Sequence, residues 1–186
     1  MLVLSEEDRR LIKDLREFGV FQNIEGHRID QSNGAVVVCC ADADQFQDGY
    51  NHHCQIQLQQ RRNPRIHPLS WNGGAMTCIE NSPVNRLANS YIEFLGQITD
   101  ARILKGINPV LVETHAPCGA AHLHKISLAN QLAIHVEAKK NIRALNPDAT
   151  LACTFHVDYG NSKRRYFFSR PRWEIWLQDK KIQVAV

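Results

Sequence analysis

Residues 35–40 read Ala-Val-Val-Val-Cys-Cys, an unbroken apolar run with three consecutive β-branched side chains and no polar alternate. Successive strand side chains point to opposite faces, so a strand of this composition keeps both faces out of water. Sheets that satisfy that demand are mostly parallel and covered by helices on both sides. Further strands are predicted at residues 66–71, ended by Asn72-Gly73-Gly74, at Val110-Leu111-Val112 and at residues 150–157. Tyr166-Phe167-Phe168 belongs to a returning strand.

Helical spacing fills the intervals. Ser5 is a candidate N-cap for a helix over residues 5–18, with Leu11, Ile12, Leu15 and Phe18 on one stripe. Ser82-Pro83 predicts the start of a second helix, carrying Val84, Leu87, Ala88, Tyr91, Ile92, Leu95 and Ile98. A third runs from about residue 121 to 145, with Leu123, Ile126, Ala129, Ala133 and Val136 aligned, and Asn146-Pro147 stops it. Residues 45–63 are polar and glutamine-rich and predict a loop with at most one helical turn. Strands alternating with helices predict an α/β fold: a mostly parallel central sheet flanked by helices, with right-handed crossovers. The 186 residues show no internal repeat and no linker, so residues 1–186 are expected to form a single domain.

The formal charge of +3 argues little for nucleic acid, because Lys163, Arg164, Arg165, Arg170 and Arg172 carry much of the excess in a cluster that reads as a solvated strand edge or tail. The opening Met1-Leu2-Val3-Leu4 turns acidic at once, without a basic flank or a long apolar stretch, and nothing approaches the length of a membrane span. A cytoplasmic location is therefore expected. In a reducing compartment six cysteines are core residues or metal ligands rather than a disulfide framework, and nine histidines accompany them.

In sheets of this kind, ligand sites form at the carboxyl ends of strands. Cys40 ends the first predicted strand, and His115 and Cys118 lie just beyond the third. Two sulfurs and an imidazole from neighbouring strand ends make a donor set suited to zinc, leaving a fourth tetrahedral position open. Cys39 points to the opposite face, and Cys78 and Cys153 read as core. His52, His53 and Cys54 suggest a second metal site or a proton shuttle. His122 and His124 begin a helix from which one of them can face the site, and His156 reads as a satisfied strand histidine.

Cys40-Ala41-Asp42 and His115-Ala116-Pro117-Cys118-Gly119 resemble the two signatures of the β-class carbonic anhydrases, Cys-x-Asp-x-Arg and His-x-x-Cys-Gly. Trp71-Asn72-Gly73-Gly74-Ala75 occupies the place of that family's Arg-Asn-Ala-Gly stretch. The resemblance divides the chain into an N-terminal helical arm over 1–33, a zinc-binding core over 34–157 and a C-terminal extension over 158–186. It implies Cys40, His115 and Cys118 as ligands of Zn2+, Asp42 as the acid that orients zinc-bound hydroxide, and the Gly119 backbone N–H near the substrate. The implied reaction is reversible hydration of carbon dioxide to bicarbonate. The implied assembly is a homodimer or higher homo-oligomer, with helix 5–18 reaching over the partner.

One position departs from the family pattern: Asp44 stands where the family has its arginine. Asp42 thus lacks the partner that would turn it away from the metal and gains a like charge instead. Either Asp42 closes the site as a fourth ligand, giving a catalytically silent zinc-binding protein, or another cation replaces the arginine, with Arg61, Arg62, Arg65 and Arg86 as candidates. A thiol enzyme with Cys118 activated by His115 is a third expectation.

Overall fold

The computed structural model describes residues 2–24, 29–31, 33–60 and 63–184. Arg61 and Arg62 lie outside the described residues. Six strands form one sheet: β1 (Phe21–Asn23), β2 (Ala35–Cys40), β3 (Ile66–Trp71), β4 (Val110–Ala116), β5 (Leu151–Asp158) and β6 (Lys163–Phe168). Their spatial order is β1-β6-β5-β4-β2-β3. The four strands β3, β2, β4 and β5 are parallel, and β6 and β1 add antiparallel at one side. This is the mostly parallel α/β sheet expected from the doubly buried runs, and every residue of β4 is buried.

One face of the sheet carries the larger core. Helices α1 (Glu6–Glu17), α3 (Ser90–Lys105), α5 (Leu128–Leu145) and α6 (Arg170–Lys180) cover it, contributing Ile12, Leu15, Phe94, Ile98, Leu132, Ile142, Trp173 and Trp176. α1 begins where Ser5 accepts the Asp8 N–H, and it is tied to α6 by the Trp176 indole donating to Asp14 at 2.8 Å. The other face holds a small cluster of Ala35, Val37, Cys39 and Leu111 beneath α2 (Phe46–Gln59). Among the described residues, no helix is long and apolar enough to cross a membrane.

Several sequence expectations are corrected. Residues 45–63 are not a loop, since α2 occupies most of them. Its buried stripe is Gly49, His53, Ile56 and Gln57, a helical period written mainly in residues that are not apolar. The helix expected from Ser82-Pro83 starts only at Ser90, because the Asn85 amide donates to the Thr77 and Ile79 carbonyls and fastens that stretch as turns. The helix expected over 121–145 is two: α4 (Gly119–Leu123) ends before Lys125, which has φ +55°, and Ser127 caps a new start by accepting the Asn130 N–H. β4 runs past Val112, so His115 stands within a strand.

His135 on α5 is fully buried, its ring edge-on to Phe168 with centroids 5.6 Å apart. Burial lowers its pKa from 6.5 to about 3. Between those values the unfolded chain binds a proton that the folded chain does not, so stability rises with pH in that window and falls as pH drops from 6.5 toward 3. Urea unfolding at several pH values is expected to show His135→Phe with a shallower acid slope, by up to about 1.4 kcal/mol per pH unit. An unchanged slope would show that this imidazole is not held neutral by the fold.

Candidate metal centre

Because β2 and β4 are parallel neighbours, their carboxyl ends lie side by side. Cys40 ends β2, His115 is the penultimate residue of β4, and Cys118 is the residue that opens α4. Residues 75 positions apart in sequence therefore meet: one donor atom each from Cys40, His115 and Cys118 all lie within 4.8 Å of one another. His115 and Cys118 are buried, and Cys40 is half-buried.

The backbone around each residue explains its placement. Gly73 and Gly74 follow β3 with φ of +89° and +53°, and a Cβ at Gly74 would stand 2.5 Å from the Cys40 nitrogen. Only glycine lets this turn press so closely on the end of β2. From there the Gly73 N–H donates to Cys40 Sγ at 3.3 Å. The strand end bearing His115 is held from α5, where the buried Gln131 amide donates to the His115 carbonyl at 2.9 Å and to Thr114 Oγ1 at 2.7 Å. Gln45 donates to the Pro117 carbonyl at 3.1 Å, steadying the loop that leads to Cys118.

The electrostatics favour one anionic sulfur here, that of Cys118. The Cys40 thiol beside Cys118 is the main influence lowering the Cys118 pKa; burial opposes it, and His115 and the Ala121 N–H add to it. Cys40 is correspondingly raised, by Cys118 first and by burial next. For His115, burial disfavours the cation but Cys118 outweighs it, so its pKa moves up. Both ring nitrogens of His115 are buried without a hydrogen-bond partner, an arrangement that costs free energy unless something binds there. Zinc bonds of about 2.3 Å to sulfur and about 2.0 Å to nitrogen would fit among donors spaced this closely. The cluster can thus coordinate a metal, and it is the one such group of three found among the described residues.

Asp42 and Gly119 lie beside Cys40 on the wall of a groove of about 1090 Å³, whose apolar walls include Trp71, Val84, Leu87, Ile92 and Leu123. Asp42 is outside the three-residue cluster; its Oδ1 instead accepts the Asp44 N–H at 3.0 Å. The like-charged neighbour therefore meets Asp42 through its backbone amide. Arg65 reaches the Asn33 and Lys105 carbonyls, away from Asp42. Arg86 shares the groove with Asp42, and among the described residues no cation forms an ion pair with that carboxylate. His124 also lines the groove, while His122 is exposed.

Beneath α2, on the side of the sheet that His115 also faces, lies a buried polar cluster that the sequence did not reveal. Arg165 belongs to the basic run expected to be a solvated edge, yet its side chain is only 6% exposed. Its Nε stands 3.3 Å from Glu113 Oε2 and its Nη2 3.3 Å from Asp48 Oδ2, while Nη1 donates to the Asp48 carbonyl at 3.0 Å. His53 Nε2 is 3.4 Å from Glu113 Oε2, and His156 Nε2 is 3.1 Å from Asp48 Oδ2. Burial would push Glu113 up, but His53 and Arg165 overcome it and hold the carboxylate ionised. His156 is lowered to about 3 by burial and by Arg165. A guanidinium at the centre of this cluster disfavours a second cation, and His53 is engaged with Glu113 rather than with Cys54. A glutamate directly after the apolar Val110-Leu111-Val112 was the available signal.

No family model matches the chain, and no curated protein matches it. Its structure is similar to those of β-carbonic anhydrases. The β-carbonic anhydrase CafD of Aspergillus fumigatus is 10% identical, with a TM-score of 0.47 over 80% of this chain and 99% of that one. A carbonic anhydrase from Streptococcus mutans is 15% identical, with a TM-score of 0.42 over 90% and 100%. One from Glaciozyma antarctica is 14% identical, with a TM-score of 0.41 over 87% and 95%.

Proposed function

We propose that the chain is a zinc-dependent, carbonic anhydrase-like enzyme that hydrates carbon dioxide reversibly to bicarbonate. The observation that supports this most is the meeting of Cys40, His115 and Cys118 at the edge of an apolar-walled groove that also presents Asp42 and Gly119. Cys40, His115 and Cys118 would hold the zinc, which would supply Lewis acidity and lower the pKa of a bound water. Two thiolates neutralise the charge of the ion, so activity belongs at alkaline pH.

The chain's own residues then divide the work. Trp71, Val84, Leu87, Ile92 and Leu123 offer an apolar surface to an apolar molecule entering the groove. Asp42, with Oδ1 committed to the Asp44 amide, keeps its second oxygen as a hydrogen-bond acceptor for the attacking water. The Gly119 N–H donates to the oxygen on which charge grows as the substrate bends. Stopped-flow measurement at alkaline pH is expected to give zinc-dependent hydration that a chelator abolishes and added zinc restores. Full zinc occupancy with no hydration above background would contradict the proposal. The competing reading is a silent zinc protein closed by Asp42, motivated by the lack of an ion pair to Asp42 among the described residues. A carboxylate oxygen as fourth ligand at every pH would select it.

A further inference from the structure

We infer that Glu113 is a positioning residue for His115, acting through a water held in the cavity between β4 and α2; the inference rests on His115 being a zinc ligand. Glu113 and His115 are two apart on β4 and so face the same side of the sheet. Both line a cavity of about 20 Å³, together with Asp42, Gln45, Gly49 and His53. That volume accommodates a single water. Its lining is rich in buried polar atoms without hydrogen-bond partners: both ring nitrogens of His115, Nδ1 of His53, and Gln45 Oε1.

A metal can take only one nitrogen of the His115 ring. The other is then a buried N–H, and ligating histidines almost always give that hydrogen to a carboxylate, a carbonyl or a water. Glu113 is placed to complete the link. Its Oε2 is occupied, with Arg165 Nε at 3.3 Å, His53 Nε2 at 3.4 Å and Thr154 Oγ1 at 3.5 Å. Its Oε1 is the oxygen nearest Gly49, where an added Cβ would stand 2.9 Å away. Residues two apart on a strand are separated by about 6.6 Å. One water with two hydrogen bonds of about 2.8 Å spans most of that distance, accepting from the imidazole and donating to Oε1. Gly49 keeps the helix backbone clear of the carboxylate, which accounts for a glycine inside α2. Arg165 and His53 fix the glutamate from its other oxygen.

Two measurements decide it. The first is the zinc dissociation constant, by competition with a chromophoric chelator, for the wild type and for Glu113→Leu/Arg165→Met. The double substitution removes both buried charges together, and Asp48, the other partner of Arg165, is half-exposed to water. Its zinc dissociation constant is expected to rise 10–100-fold, while the metal-free melting temperature stays near that of the wild type. A dissociation constant within twofold of the wild type overturns the inference. The second is a high-resolution crystal structure of the zinc-loaded wild type. It is expected to place one ordered water within hydrogen-bonding distance of Oε1 and of the His115 nitrogen not bound to zinc. Absence of that water also overturns the inference, even if the double variant does not fold. Should the wild type itself bind no zinc, the proposed function is what has failed, and the wild-type titration alone reveals it.

Discussion

Arg165→Met is expected to destabilise the fold by about 3–5 kcal/mol, or roughly 10 °C in melting temperature. The substitution keeps much of the side-chain volume but leaves Glu113, itself buried, without its cation. An ionised carboxylate in that position loses its main compensation for desolvation, and protonating it instead would forfeit the interaction with His53. The companion Glu113→Leu/Arg165→Met is expected to recover most of the loss, since removing both members of a buried pair is commonly near neutral. Denaturant melts of the wild type, the single and the double variant measure this directly. A single variant within about 1 kcal/mol of the wild type would mean that Arg165 is hydrated rather than held in the sheet–helix interface.

The second large effect concerns the metal. Cys118→Ser removes one of only three protein donors, so the loss of zinc affinity should exceed the 10–100-fold typical of groups that merely orient a ligand. Hydration activity should fall to background with it. Cys39→Ser is the control. Cys39 neighbours Cys40 in sequence but packs with Val37 and Leu111 on the other face, where burial raises its pKa to about 12. That substitution is expected to cost stability and to leave zinc stoichiometry unchanged. Equal loss of zinc from both variants would mean that the sulfurs act through the fold, not as ligands. Chelator-competition titrations separate these outcomes.

The features legible in the sequence were those that rest on local period and composition. Three consecutive valines before two cysteines allow little besides a doubly buried strand, and β2 occupies those residues. The convergence of Cys40 with His115 and Cys118 followed from the rule that parallel strands end together. What escaped notice shares one physical cause: polar side chains buried by pairing across the sheet. α2 carries a clear helical stripe, but Gly49, His53 and Gln57 look solvent-facing until Glu113, Arg165 and Gln31 are known to await them. Arg165 read as surface because its neighbours Lys163 and Arg164 are exposed. Asn85 and Ser127 misplaced two helix starts, since a side chain bonded to the backbone alters a boundary without altering the apolar pattern. α6 carries Pro171 in its first turn and holds itself with Trp173 and Trp176, too few apolar positions to show a period.

Zinc-edge X-ray absorption on the purified chain, together with its metal stoichiometry, tests the central claim most directly. The expected result is one zinc per chain, coordinated by two sulfurs at about 2.3 Å and one imidazole nitrogen at about 2.0 Å, with a lighter atom completing the tetrahedron. A chain that takes up no zinc, or zinc bound without both sulfurs, would contradict it.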